Sequence, residues 1–142
     1  MIDFDWDPAK EKKVWQRWPR QGTRTVSSLV AGPDGLIYGI AYGRNARGKD
    51  FRGIFVFDPM SRKFVRHLAL PAQGGAPDNS LQLGQDGKIY GVTTEVVYRI
   101  EPGARTVEVL ARIPGGLGIP GPLVGKTLYF ARGPHLLSLQ LP

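Results

Sequence analysis

The chain has 142 residues, 42% apolar and only 22% charged, so one domain with a real core is expected and the polar, highly charged composition of disordered chains is excluded. Its 19 glycines and 12 prolines, with no apolar run of about 20 residues, exclude a transmembrane helix and imply many short elements joined by frequent reversals. Zero cysteines exclude disulfides, thiolate zinc sites and cysteine nucleophiles, while a net charge of +7 favours anionic partners without choosing among them.

The N-terminus, MIDFDWDPAK, is acidic and lacks the basic region and apolar run of a secretory signal, so a cytoplasmic location is expected for the chain as it stands. From Asp5 to Pro19 an acid-Pro pair, Asp7-Pro8, leads into KKVWQRW, which reads as a strand. A short helix over Ala9–Trp18 is the alternative, because Asp7-Pro8 also suits a helix start and Val14, Trp15 and Trp18 fall on one helical face.

The next segment carries the strongest signal. SLVAGPDGLIYG, Ser28–Gly39, recurs as SLQLGQDGKIYG, Ser80–Gly91, with eight of twelve positions identical. Each copy reads as two strands about an Asp-Gly pair, Asp34-Gly35 or Asp86-Gly87, whose positive φ angles suit a two-residue hairpin turn. A second unit follows each copy: IFVFDPMSRKFVRHLALP, Ile54–Pro71, and VYRIEPGARTVEVLARIP, Val97–Pro114. In each, the proline after Asp58 or Glu101 ends one strand and a β-branched run starts another. Four antiparallel strands in a meander make one blade of a β-propeller.

An all-β chain of about three such blades is therefore expected: a lone outer strand in residues 1–19, a blade in 23–71, a blade in 78–114 and an incomplete blade in 119–142, forming one partial propeller over 1–142. Asp5–Pro19 matches the acid-Pro turn and fourth strand alone, and Leu123–Pro142 matches three strands without a fourth, so both ends fall in mid-blade. Two arrangements follow: a homodimer that completes a six-bladed ring head to tail by lending N-terminal strands, or a piece of a longer propeller.

The phrases GPDGLIYG and GQDGKIYG, with FDP or IEP after them, resemble the repeats of bacterial β-propellers of the gluconolactonase (SMP-30-like), virginiamycin-B-lyase-like, NHL and kelch-like groups. The resemblance covers most of the chain and implies the fold rather than an activity. For the lactonase-like members it implies a metal held by acidic and amide side chains at the central channel. Asn79, opening the innermost strand in PDNSLQLGQDGKIY, is the one position that carries over. Val26-Ser27 and Pro120-Gly121 stand at the equivalent stretches of the other blades.

Other motifs read as structure. Gly116–Gly121 fits G-x-G-x-x-G, and Gly125-Lys126-Thr127 ends like a phosphate-binding loop, but strands rather than helices follow both. The only histidines, His67 and His135, come with no nucleophile motif. Asp7, Asp34, Asp58, Asp86 and Glu101 all sit in turns. Trp6, Trp15 and Trp18 suit packing between sheets.

Sorting connections by the end of the meander they occupy places Arg20, Arg24, Arg44, Arg47, Lys49, Arg52 and Arg132 on one face, against Asp50, Asp78 and Glu95. Much of this charge lies in GRNARGKDFRG, Gly43–Gly53, which the next blade replaces with the short Thr93-Thr94-Glu95. The expected function is a non-catalytic ligand-binding or protein-interaction module whose basic loop face meets an anionic small molecule or carbohydrate, with Arg44, Arg47, Lys49 and Arg52 supplying charge and Asn79, Arg132 and His135 as polar neighbours. No cofactor and no membrane contact are expected, and sparse aromatics argue against nucleic acid. The alternative is a lactonase- or lyase-type enzyme using Asn79 and His135, with a divalent cation at the channel completed by a partner chain.

Overall fold

The computed structural model describes residues 23–44, 47, 48, 50–71 and 80–142. The expected strand or helix in residues 1–19, its three tryptophans, Lys49 and Asn79 lie outside them. Every regular element among the described residues is a β-strand, in three antiparallel meanders. The first sheet has β1 (Thr23–Ala31), β2 (Ile37–Arg44), β3 (Asp50–Asp58) and β4 (Lys63–Ala69), in that order. The second has β5 (Gln82–Leu83), β6 (Ile89–Val92), β7 (Val96–Ile100) and β8 (Glu108–Arg112), and the third β9 (Ile119–Val124), β10 (Thr127–Arg132) and β11 (His135–Gln140).

The repeated phrase is accounted for residue by residue. Tyr38 donates its hydroxyl to Asp34 Oδ2 at 2.7 Å, and Tyr90 does the same to Asp86 Oδ2 at 2.7 Å. A Cβ on Gly32 or Gly84 would stand 2.7 Å from Cε2 of that tyrosine, so both glycines make room for the ring. Gly39 and Gly91 lie directly across the sheet from Phe55 and Tyr98, whose rings fill the space a side chain would take. Asp-Gly does not make a two-residue turn, however. Leu36 O accepts from Gly32 N, and Gly32 O from Gly35 N, so the loop is Pro33-Asp34-Gly35, and only Gly35 has positive φ. The second copy repeats this with Gly84, Gly87 and Lys88. Asp34 is held out of the left-handed region because its carboxylate accepts from Leu36 N at 3.2 Å, which favours a type I turn closed by a left-handed glycine. Two-residue turns occur instead in the third sheet, at Gly125-Lys126 and Gly133-Pro134, each with its glycine at positive φ.

The second sheet is buried on both faces. Ile89, Tyr98 and Ile100 join Tyr38, Ile40, Ile54, Val56 and Leu68 of the first sheet in one core cluster. Their alternating neighbours Tyr90, Val92 and Val97 join Leu117, Leu128, Phe130 and Leu141 in another. The sheets therefore stack in chain order.

Polar clips tie the first strands of the sheets together. In β1, Ser28 and Leu29 oppose the single residue Gly39, a bulge that holds Ser28 at φ 57. The Ser28 hydroxyl then accepts the backbone N–H of Leu81 at 2.7 Å, at the start of the second sheet. Further along, the Gln82 side-chain amide donates to Gly121 O and accepts from Leu123 N, both at 2.7 Å, so it acts as a backbone unit bridging β5 to β9. Gln82→Ala strips both β9 groups of these partners. The expected loss is about 1–3 kcal/mol, read as a lower urea midpoint at unchanged slope.

Candidate functional site

The two parts of the expected site sit on hairpin tips. Arg44 ends β2 in register with Asp50, which begins β3, and Arg52 on β3 pairs with Tyr42. Arg47, in the connection, and Arg52 are exposed. Arg132 and His135 form the closing pair of the β10–β11 hairpin around Gly133-Pro134, so the short turn sets a guanidinium and an imidazole side by side, both exposed.

Two other connections meet that hairpin. The β6–β7 turn is closed by Thr93 N donating to Val96 O, and its Thr94 and Glu95 carbonyls accept Leu117 N and Ile113 N from the β8–β9 connection. Gly115, in the same connection, has φ +84, and a Cβ there would stand 3.0 Å from Nη2 of Arg132. The guanidinium therefore lies over a glycine that leaves it space. The pair offers Arg132 and His135 as donors to an anion.

Elsewhere the ionisable groups serve the fold. Tyr38 is pushed up to about 12, first by burial and then by its bond to Asp34. Burial alone would raise Asp86, but the Tyr90 hydroxyl and the Lys88 backbone N–H outweigh it and hold the carboxyl low. The Ser61 hydroxyl and the Met60 N–H hold Asp58 low. Arg99 binds Glu108 through Nε and Nη2 at 3.0 and 2.7 Å, which raises the guanidinium. The turn carboxylates are thus engaged in turn and strand contacts.

The two nucleotide-binding look-alikes are strand and hairpin. A Cβ on Gly118 or Gly121 would strike the carbonyl of Ala131 or Tyr129, so these glycines let β9 lie against β10, and Gly125-Lys126 is the turn between the two. Among the described residues no three His, Cys, Asp or Glu side chains gather as metal ligands, and no helix is long and apolar enough to cross a membrane. A crevice lined by Ser80, Gln82, Tyr90, Val97, Leu128 and Leu141 has no room for a water molecule.

Sequence reasoning missed Ser28 and Gln82, which link the sheets. A signal for Gln82 exists, since it stands where the first copy has Val30, a polar residue in an apolar frame. The class that the described residues define is an all-β chain of three stacked antiparallel meanders. No family model, curated protein or solved structure matches it.

Proposed function

We propose that the three sheets are blades of β-propeller type and that the chain is a non-catalytic binding module whose loop face takes an anionic ligand such as a carbohydrate acid or a phosphate. The blade reading is supported by the clips that join β1 to β5 and β5 to β9, which bring the first strands of successive sheets together as they would stand around a common axis. The ligand reading rests on one observation above all: Arg132 and His135 stand exposed on one hairpin tip that two other connections meet. The corresponding connection of the first sheet carries Arg44, Arg47, Lys49 and Arg52. Such a face attracts anions through charge and fixes them through the guanidinium forks.

Replacing Arg44, Arg47, Lys49 and Arg52 together with serine should lower the salt concentration that elutes the protein from phosphocellulose. Serine at Arg62, Lys63, Arg105 and Lys126 removes the same charge from other places and should lower it less. Equal losses in the two variants would mean that net charge alone, not this face, holds the anion.

A further inference from the structure

The internal repeat makes positions in the three sheets equivalent, and equivalent positions differ sharply at the two ends of the stack. Ile40 pairs with Ile54 in the first sheet, Val92 with Val97 in the second and Ala131 with Leu136 in the third, each pair lying two residues beyond the matched Tyr38, Tyr90 or Tyr129. Ile54 is 0% exposed and Val97 1%, because each faces the next sheet; Leu136 is 76% exposed. On the opposite face the same comparison runs the other way. Leu29 and Leu81 occupy one position of the repeated phrase, and Leu81 is 7% exposed against the first sheet, whereas Leu29 is 65% exposed.

The third sheet therefore presents the kind of face that sheets one and two bury against their successors. It adds Ile119 and Val124 to Leu136 as exposed apolar groups. On the first sheet's opposite face, the kind that sheets two and three bury against their predecessors, Phe55 and Ala41 are already packed with Phe57 and Phe64, and Leu29 is the exposed apolar group beside them. These two faces are the two halves of one recurring interface.

We infer that a second copy of this chain docks its first sheet on the third sheet, with its Leu29 and the acceptor's Leu136 in one interface, and that two copies close by making this contact twice. Six sheets result, within the range of about four to eight that such rings use. In the two four-stranded sheets the third strand, β3 or β7, is flanked by a strand that follows an acid-Pro pair. Among the described residues β11 pairs only with β10. A docked second copy is therefore expected to cover the β11 edge as well, as β4 and β8 cover the edges of β3 and β7.

This inference rests on the blade reading but not on the anion-binding one, which leaves the mass of the particle untouched. Light scattering of the full 142-residue chain should give twice 15.6 kDa. Leu29→Lys and Leu136→Lys, both at exposed positions, should each give folded monomers by circular dichroism. An equimolar mixture of the two should recover dimer, because one of the two contacts then joins an unaltered Leu29 to an unaltered Leu136. A folded wild-type monomer, an open-ended polymer, or a mixture that stays monomeric overturns the inference. The last outcome would indicate that each face meets its own copy. Should either variant misfold, Val124→Lys serves as the acceptor-side change and Leu29→Ser as the donor-side change under the same criteria.

Discussion

Truncating Tyr98 to alanine should cost about 3–5 kcal/mol, a large share of the about 5–15 kcal/mol that a domain of this kind has in total. Tyr98 is fully buried in the core between the first and second sheets, and its ring occupies the space directly across β6 that Gly91 leaves open. Because the partner position has no side chain, nothing can relax into the void, and the cavity term is added to the lost transfer term. The residue on the other side of this pair should be as intolerant. A Cβ on Gly91 would stand 2.4 Å from the Tyr98 ring, so Gly91→Ala overpacks a site that Tyr98→Ala empties. Chemical denaturation of the single and double variants checks both statements. The double variant should be more stable than the sum of the two losses implies, because the added methyl then enters the emptied space.

The second large effect is an alkaline loss of stability. The folded protein holds the phenolic protons of Tyr38, Tyr90 and Tyr98 more tightly than the unfolded chain does: burial is the leading cause at each, and Asp34 and Asp86 add to it at the first two. Tyr38 goes from the ordinary 10.0 to about 12. A group whose pKa is raised on folding contributes stability that is complete below its unfolded value and is lost as pH climbs to the folded one. The denaturation midpoint should therefore hold up to about pH 10 and fall steeply between there and pH 12. Tyrosinate absorbance followed alongside circular dichroism should show Tyr38, Tyr90 and Tyr98 ionising late, together with the loss of β structure. Ionisation of these three near pH 10 with the spectrum of the fold unchanged would contradict this.

Much of the architecture was legible because the residues that reveal it act within one hairpin. Gly32, Asp34, Gly35, Tyr38 and Gly39 contact one another or the adjoining strand, so copying the hairpin copies the letters, and the twelve-residue repeat announces the sheet. The turn type was not legible, since Asp-Gly serves two-residue and three-residue loops alike and the choice depends on how Gly32 pairs with Leu36. Contacts between sheets were not legible either. Nothing in the string SSLVAG says that Ser28 bulges out of register to accept a hydrogen bond from Leu81, or that Gln82 spans to β9. These contacts join sequence-distant elements and leave no periodicity.

The candidate site divides in the same way. Arg132 and His135 could be placed on a loop because Gly-Pro between two apolar runs marks a hairpin tip, and the tip makes them neighbours. The placement of Arg132 over Gly115, in the connection that bonds the β6–β7 turn, follows from stacking of the second and third sheets and had no local mark.

We propose that the third sheet is completed by a second copy. Hydrogen exchange along β11 tests it most directly. If the claim holds, consecutive amides of β11 are protected to the same degree as those of β3 and β7, and that protection weakens on dilution as the dimer dissociates. If every second amide of β11 exchanges freely at all protein concentrations, as the open edge of a three-stranded sheet does, no copy covers that edge and the claim fails.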